Sequence, residues 1–375
     1  MVLSLFGDWS TTLSLIFGGC CSNAITLEQL TTQYPLSGSL ITAFQFLIIS
    51  LYGIPTHITW TKFGPRFKPH RIPLTPYLVQ VGLFYFISLL NNAAFSYRIP
   101  MSVHIIFRSG GLVISMILGW LISGKRYTFA QIISVLVVTA GVVLTTLSAS
   151  GAHSDSADPS AGLHIYVQGI SILTLALVFS GFLGLVQDYT YSRYGRPPPG
   201  GSEKKLGTST PTPTWQESMF YLHFLALPMF FFVRKDIASQ LETINSGHQS
   251  SYTLPLPPAL ISALPFSDDK SPFRLTNDTV SLTLPSAYLP LLLNTITQLF
   301  CVAGVHRLTT RVSALTVTLV LVVRKAASLV ISVWLGRGAQ VDQGMMWSGA
   351  AMVLAGTVVY TVATGRAKEK KDKVE

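Results

Sequence analysis

Long apolar segments recur along the whole chain, and they constrain its fold more than any other feature. A helix needs roughly 20 apolar residues to cross the hydrocarbon core of a bilayer. Charged residues make up only 11% of the chain, against about 25% in soluble domains. We therefore predict an all-α polytopic membrane protein with ten transmembrane helices. The predicted spans are 9–27, 38–58, 77–97, 100–122, 127–149, 163–186, 216–233, 285–305, 312–335 and 344–364.

Basic residues predict the orientation of these helices, because cytosolic loops carry an excess of Lys and Arg. With ten spans, both termini lie on one side, and that side collects 17 of the 26 Lys and Arg residues against 6 on the other. Both termini are therefore expected in the cytosol. The segment MVLSLFGDW has no basic residue, so we expect the first span to be retained rather than cleaved as a signal peptide. A glycosylation sequon at Asn277 falls in the 234–284 loop, on the lumenal side.

An internal repeat is suggested by two similar segments. Half of ten helices is five, an odd number, so a duplicated half would be inverted relative to the other. FRSGGLVISM resembles VRKAASLVIS when Arg108 is aligned with Arg324, and Gly141 then falls near Gly356. Transporters are often built from inverted repeats with the substrate at their interface. The alternative is that apolar helices resemble one another. We predict two inverted five-helix repeats.

The spans also divide the chain. Pro, Gly and Ser between the halves are typical of a flexible connection. The loop before the eighth span is rich in Pro and Ser and is expected to be poorly ordered in places. We predict a first transmembrane half at 1–186 with repeat one ending near 150, a cytosolic linker at 187–215, further helices at 216–364 with the lumenal loop 234–284, and a basic cytosolic tail at 365–375.

Three cations lie inside otherwise uncharged spans: Arg108, Arg324 and Lys325. Each costs roughly 2.5 to 3.5 kcal/mol at the centre of a membrane helix unless it has a partner or a water-filled cavity. Arg binds phosphate through paired hydrogen bonds and Lys supplies a compact charge, so the three suit a diphosphate. The alternative is ion pairing with Glu28 or Asp188, but two acids are too few for three cations.

The geometry of a helix separates Arg324 from Lys325 by about 100°, so one of them can face a cavity while the other does not. Ser328 lies on the stripe of Lys325, which favours Lys325 slightly. Ser109 follows Arg108 and begins a Ser-Gly-Gly segment, which lets a ligand or a helix approach the backbone. We predict Arg108, Arg324, Lys325 and Ser109 as substrate-binding residues.

Amide side chains form a second polar group within the spans. Asn91 and Asn92 share the third span, while Asn294 and Gln298 lie on one stripe of the eighth. Amides offer a donor and an acceptor together, as a nucleobase edge or sugar hydroxyls require. Interhelical hydrogen bonding, which is common in membranes, explains them equally well.

Other site classes find little support. The three cysteines, Cys20, Cys21 and Cys301, lie inside spans and are expected to be small packing residues rather than a disulfide or a metal site. The sequence contains no Gly-rich phosphate loop, HExxH motif or GxSxG motif, so we expect a protein that is not an enzyme, without cofactor or metal. Cations scattered over short loops do not suit nucleic-acid binding.

Several longer segments, among them NNAAFSYRIPMSVHIIFRSGG, FLGLVQDYTYSRYGR and NTITQLFCVAGVHRLTTRVSALTVTLVLVVRKAAS, resemble the nucleotide-sugar transporters of the drug/metabolite transporter superfamily. The likeness is greatest to the family of UDP-N-acetylglucosamine and UDP-xylose transporters. It covers most of 9–364 and weakens in 196–214 and 236–284. The LVVRKAA segment departs from the GALNK motif of the GDP-mannose members, which argues against GDP-mannose.

This resemblance implies a UDP-N-acetylglucosamine/UMP antiporter that works by alternating access, with UDP-xylose as the alternative substrate. It implies phosphate contacts from Arg108 and from Arg324 or Lys325. It also implies nucleobase or sugar contacts from the amides of the third and eighth helices. A membrane-embedded glycosyltransferase and a scaffold that does not transport are the alternatives from other classes.

The chain ends in KKDKVE, and Lys371 and Lys373 resemble the KxKxx retrieval signal of endoplasmic-reticulum membrane proteins, which coat proteins recognise. A solvated charged tail is the alternative. We expect the endoplasmic reticulum rather than the Golgi. Gly18 and Gly19 suit close helix packing within one chain or between two, which leaves a homodimer open.

Overall fold

The computed structural model describes residues 2–34, 37–62, 64–95, 110–150, 163–195, 213–255, 273–276, 279–334 and 342–372. These residues are mostly helical, as the sequence predicts. One π-helical turn, Leu15–Gly19, joins the first two helices, and another, Tyr191–Gly195, extends the seventh. The helices of the first half are α1 (Val2–Ser14), α2 (Cys20–Gln33), α3 (Gly38–His57), α4 (Leu74–Phe95), α5 (Gly111–Leu121), α6 (Phe129–Ser150) and α7 (Leu163–Thr190).

The second half contains five further helices and most of the strands. A 3-10 turn, Leu227–Phe231, continues the first of these helices. The helices are α8 (Thr214–Ala226), α9 (Arg234–Asn245), α10 (Tyr288–Thr309), α11 (Ala314–Trp334) and α12 (Gln343–Asp372). The strands of the chain are β1 (Ile58–Thr61), β2 (Gly64–Phe67), β3 (Gln249–Pro255), β4 (Phe273–Thr276) and β5 (Thr279–Pro285).

Five helices within the described ranges are long and apolar enough to cross a membrane. Two further apolar helical segments are shorter, Gly111–Leu121 of α5 and Phe129–Thr145 of α6. Each of the ten predicted spans overlaps a described helix, although α5 covers only the second half of 100–122. The chain is therefore a polytopic helical membrane protein. The five long segments are Gly38–His57, Leu74–Asn91, Val167–Tyr194, Tyr288–Thr309 and Gln343–Ala367.

Two small antiparallel sheets depart from the predicted all-α fold. β1 pairs with β2 in a hairpin directly after α3. In the 234–284 loop, β5 lies between β3 and β4. The described part of this loop is thus more ordered than its Pro- and Ser-rich composition predicts. The reason is an amphipathic helix, α9, that composition averaged over the whole loop conceals.

α9 packs against the ends of three membrane helices. Ile244 of α9 is fully buried in a cluster that contains Leu30, Leu40 and Leu291. The Leu40 N–H, in the first turn of α3, donates to Gln240 Oε1 at 2.8 Å. That N–H has no acceptor within its own helix, because the first four N–H groups of a helix are unpaired. α9 therefore caps α3 and closes this end of the bundle.

Among the described helices, α6 and α12 make the most extensive contact, and they meet through glycines. A Cβ on Gly141 would lie 2.7 Å from the Gly349 carbonyl oxygen and 2.9 Å from the Val353 N atom. A Cβ on Gly356 would lie 2.7 Å from Val138 Cγ2. Small residues let membrane helices approach to backbone contact, where dispersion and weak polar interactions hold them together. The two glycines that the sequence comparison aligned thus lie in one interface.

A substitution at this interface tests the backbone contact. Gly141→Val is expected to lower the free energy of unfolding by about 1 to 3 kcal/mol, because the added methyl groups overlap the α12 backbone. Thermal unfolding of the purified chain in detergent measures the loss. Gly82→Val in α4 is the matched control, since a Cβ on Gly82 has no neighbour within 4 Å. Equal melting temperatures for the two variants would contradict the contact.

Cys20 and Cys301 correct an expectation: they form a disulfide between α2 and α10 and are not simply packing residues. Their Cα atoms are 4.4 Å apart. Gly19 permits this approach, because a Cβ there would lie 2.8 Å from Cys301 N. Gly304 does the same further along α10, where a Cβ would lie 2.9 Å from Ile16 N. The sequence analysis considered each cysteine within its own span and had no measure of the distance between the spans.

Candidate functional site

α11 carries two of the predicted cations and has two different apolar faces. One face, with Leu319 and Val322, is buried against α5, α6 and α12. The other face, with Val317 and Leu321, packs against the cluster around the Cys20–Cys301 disulfide. α11 therefore lies between helices of the first and second halves of the chain. A side chain on its second face points toward α2 and α10.

Arg324 continues that second face, since it lies seven residues after Val317 and three after Leu321. Its Nε is buried and has no hydrogen-bond acceptor among the described residues. Cys21 of α2 is close enough to interact electrostatically with the guanidinium. One turn further on, Ser328 Oγ lies 3.2 Å from Cys21 Sγ. Arg324 thus places a polar, unsatisfied group at the junction of α11 and α2.

Lys325 lies at a different angle from Arg324 and its side chain is exposed. This agrees with the divergence of adjacent residues on a helix, which is about 100°. The structure separates the two cations into a partly buried group and an exposed group. The buried Nε belongs to the arginine, whereas the sequence stripe slightly favoured the lysine.

Several predicted site residues lie outside the part of the chain that the structure describes. Arg108, Ser109, Asn277 and Lys373 belong to this group, as does the side chain of Asn92. Lys371 lies in the last turn of α12. The predictions for these residues stay predictions.

Asn294 is fully buried and its side chain is used by neighbouring helices. Its Oδ1 accepts from Gln45 Nε2 of α3 at 2.7 Å. Its Nδ2 donates to the Asn23 carbonyl oxygen of α2 at 3.2 Å and to Thr26 Oγ1 at 3.1 Å. Asn23 Nδ2 returns a bond to the Asn294 carbonyl oxygen at 2.9 Å. This network joins α2, α3 and α10, which favours the interhelical alternative for Asn294.

The other two described amides differ from Asn294. Gln298, one turn later in α10, is only partly buried, and its side chain makes no hydrogen bond to the described residues. Asn91 is also partly buried, and its Nδ2 donates to the Ile87 carbonyl oxygen of its own helix at 2.9 Å. The Asn91 Oδ1 and the whole side-chain amide of Gln298 are therefore available for contacts with a ligand.

A buried carboxylate in α8 escaped the sequence analysis. Glu217 is 2% exposed, and its two oxygens accept the N–H groups of Arg71 and Ile72, each at 2.9 Å. The Tyr77 hydroxyl donates to the same carboxylate at 3.3 Å. These donors lie in the loop before α4 and in its first turns. Glu217 therefore ties the start of α4 to α8, and its position at the edge of a predicted span was the only sequence signal.

A second network of buried polar side chains begins at Ser218, the next residue of α8. Ser218 Oγ lies 2.9 Å from His306 Nδ1 of α10 and bonds to the Tyr191 hydroxyl after α7. His223, further along α8, packs edge-on against His306 with ring centroids 5.9 Å apart. All of these side chains are buried. This polar network joins α7, α8 and α10 at one end of the bundle.

Ion pairs lie at the same end of the bundle. Asp8 of α1 accepts from Arg311 at 2.6 Å and lies 3.8 Å from Arg307. The Arg307 guanidinium stacks on the Trp215 ring of α8 at 4.6 Å from the ring centroid. Exposed pairs of this kind contribute little to stability individually. Here they connect α1 with α8 and α10 around the Ser218–His306 polar network.

The fold and the buried polar groups define a polytopic membrane protein built from packed apolar helices. Residues 9–202 and 208–364 match the model of the UAA transporter family. The chain belongs to this family. It is a multi-pass membrane transporter, and the expectations of a transporter rather than an enzyme and of this family are confirmed.

Similar proteins span nearly the same length as this chain. The UDP-N-acetylglucosamine transporter of Schizosaccharomyces pombe is 34% identical over 368 residues, which covers 96% of this chain and 97% of that protein. The UDP-xylose and UDP-N-acetylglucosamine transporter of Danio rerio is 32% identical, with 93% and 92% covered. The endoplasmic reticulum GDP-fucose transporter of Drosophila melanogaster is 32% identical, with 92% and 88% covered.

The fold resembles that of a solved crystal structure. It superposes with a TM-score of 0.56 at 14% sequence identity and covers 96% of this chain and 98% of its own. At this identity the likeness concerns the fold alone.

Proposed function

We propose that the chain is a nucleotide-sugar antiporter that moves UDP-N-acetylglucosamine into the lumen of the secretory pathway in exchange for UMP. The observation that carries this proposal is Arg324, a cation inside an apolar helix whose buried Nε has no acceptor among the described residues. A buried donor without an acceptor costs about 1 to 3 kcal/mol. A diphosphate offers the acceptors and the negative charge that would remove this cost.

Arg324 is the better supported phosphate ligand of the α11 pair. It points toward α2 and α10 along the face that also carries Ser328. Lys325 is exposed, and in this proposal it attracts the anion toward the site. Arg108 supplies the second phosphate contact, since it is the counterpart of Arg324 in the sequence repeat.

Ten helices in two inverted five-helix repeats form the scaffold of this proposal. The aligned glycines Gly141 and Gly356 both lie in the contact of α6 with α12, as a pseudo-twofold relation between the repeats would require. Alternating access then consists of one repeat moving against the other around the site. The domain limits at 186, 215 and 364 and the cytosolic placement of both termini belong to the same proposal.

The uracil and sugar contacts are assigned to the amides that retain free bonding capacity. Gln298 and Asn91 are preferred over Asn294, whose side-chain donors and acceptor serve α2 and α3. Asn92 and Ser109 complete the predicted set. The relatives named for UDP-N-acetylglucosamine support this sugar, and UDP-xylose is the alternative because the Danio rerio relative is named for both.

The membrane of the endoplasmic reticulum is the proposed location, with the Golgi as the alternative. The relative from Drosophila melanogaster is named for the endoplasmic reticulum. Lys371 and Lys373 would present the retrieval signal to coat proteins, and Asn277 would carry a lumenal glycan. A homodimer remains a proposal.

Exchange in proteoliposomes tests the function. Vesicles that contain the purified chain and are preloaded with UMP are expected to take up labelled UDP-N-acetylglucosamine at least about ten-fold faster than vesicles without UMP. The reason is that internal UMP binds the carrier after each inward step and speeds its return to the outside-facing state, a conformational step of the kind that often limits turnover. Vesicles without protein control for leakage. Uptake that ignores internal UMP would contradict antiport, and acceleration of UDP-xylose alone would change the assigned sugar.

A further inference from the structure

A groove on the outside of the bundle lies between α5 and α6. Its volume is about 480 Å³. Apolar side chains form most of its lining, and one cation and one tyrosine lie at the end formed by the α5–α6 loop. The lining residues are Met116, Ile117, Trp120, Arg126, Tyr127 and Ile132.

The loop between α5 and α6 gives the groove its end wall. Gly124 has φ +61°, a left-handed conformation that glycine adopts without strain. The chain then turns back, so that the Lys125 N–H donates to the Gly119 carbonyl oxygen at 3.1 Å. The Tyr127 hydroxyl packs directly over Gly119, where a Cβ would lie 2.3 Å from it. These contacts fold the loop onto the end of α5.

The start of α6 is held in the same way. Thr128 N–H donates to Gln131 Oε1 at 2.8 Å, and the Gln131 N–H donates to Thr128 Oγ1 at 3.3 Å, which is a reciprocal helix cap. Gln131 Nε2 also donates to Thr364 Oγ1 of α12 at 3.0 Å. The loop is therefore a built surface at the end of the bundle where α12 approaches the C-terminus.

Two consecutive cations in this loop differ in their ion pairing. Lys125 forms an ion pair with Asp188 of α7. Arg126 is exposed, and no ion pair joins it to a carboxylate within the described ranges. The end of the groove thus has an available positive charge.

The groove opens toward the lipid. Most of the large exposed side chains around it on α5, α6 and their loop are apolar, and Trp120 is 61% exposed. Water would not solvate such a surface well, whereas lipid chains would, and Trp is enriched where the chains meet the headgroups. The exposed apolar residues around the groove are Ile117, Trp120, Leu121, Ile122, Phe129, Ile133 and Leu136.

We propose that this groove binds one anionic phospholipid of the adjoining leaflet, the cytosolic one in the proposed orientation. The acyl chain lies along Ile117, Trp120 and Ile132, and the headgroup phosphate and carboxylate contact Arg126. Charge complementarity selects an anionic lipid over a zwitterionic one, and the apolar lining selects a lipid over a free nucleotide. The bound lipid fills the gap beside α5. α5 packs on α11, the helix that carries Arg324.

Fluorescence of Trp120 tests the site in nanodiscs that contain the full chain. The Trp120 signal is the difference between the chain and its Trp120→Phe variant, and the quenchers are brominated phosphatidylserine and brominated phosphatidylcholine. Half-maximal quenching is expected at about five-fold lower mole fraction of the serine lipid, the factor that one Arg contributes near an anionic headgroup. Arg126→Gln should remove this preference, and Arg126→Lys should retain most of it.

Lys62→Gln is the matched control and should keep the five-fold preference. Lys62 is another exposed cation, in the turn of the β1–β2 hairpin, and lies on the same side of the membrane as Arg126 in the proposed orientation. Equal quenching by the two lipids in the unsubstituted chain would overturn the proposal. So would a preference that survives in Arg126→Gln. Displacement of the serine lipid by UMP at concentrations that saturate exchange would identify a nucleotide site instead and would also overturn it.

Discussion

Arg324→Gln is expected to lower UMP-driven uptake of UDP-N-acetylglucosamine by a factor of about 30 or more. Loss of one member of a buried, hydrogen-bonded charge pair costs about 2 to 5 kcal/mol, and each 1.4 kcal/mol is about ten-fold. The glutamine keeps a donor near the α2 junction but has no charge. Initial uptake rates in proteoliposomes, normalised to the amount of reconstituted protein, give the measurement.

Binding separates the loss of a ligand contact from a general defect. UMP raises the melting temperature of a chain that binds it, because it stabilises the folded state alone. Arg324→Gln should remove this shift while its melting temperature without UMP stays near that of the parent chain. Lys325→Gln is the matched neighbour and is expected to reduce uptake less, since its side chain is exposed. A larger effect at Lys325, or an unaltered UMP shift in Arg324→Gln, would reverse the assignment.

Sequence reasoning located the α11 cations because a charge in an apolar segment is visible without any knowledge of the neighbouring helices. It did not distinguish Arg324 from Lys325, because that choice depends on which face of α11 meets α2. The long apolar helices were predictable for the same reason, since length and composition are local properties. The membrane class and the family likeness both rest on such local patterns.

Contacts between distant segments were beyond the reach of the sequence. The Cys20–Cys301 disulfide joins residues 281 positions apart, and its formation depends on the glycines that let two backbones approach. Asn294 was found as a polar residue on a stripe, but its bond to Gln45 spans 249 positions. Only the structure shows that this amide serves its neighbours. The amphipathic α9 was concealed by the Pro and Ser residues around it.

The ends of the bundle differ in how they are held together. α9 and the Asn294 network join the ends of α2, α3 and α10 that adjoin the 234–284 loop. At the other end, the Glu217 and Ser218 contacts join α4, α7, α8 and α10. A transporter that opens each end in turn must break some of these contacts in each half-cycle. The neutral hydrogen bonds around Asn294 are weaker than those of the Glu217 carboxylate.

Glu217→Ala is expected to lower the free energy of unfolding by about 2 to 6 kcal/mol, because the two buried donors, the Ile72 N–H and the Tyr77 hydroxyl, lose their acceptor and each costs about 1 to 3 kcal/mol when unpaired. The Ile72 N–H is fixed by the backbone and Tyr77 is fully buried, so neither donor reaches water, whereas Arg71 is exposed and its N–H is only partly buried. Thermal or denaturant unfolding of the purified chain gives the measurement. Glu217→Gln should lose less, because its amide oxygen still accepts one of the two N–H groups.

Glu242→Ala on the exposed side of α9 is the matched control and should change stability by no more than about 0.5 kcal/mol. If Glu217→Ala were as stable as this control, the carboxylate would not hold the start of α4. The hydrogen bonds from the Arg71 and Ile72 N–H groups to Glu217 would then contribute nothing measurable to stability. Loss of stability with normal exchange in the surviving folded fraction is the expected pattern. It would show that Glu217 supports the scaffold and takes no part in exchange.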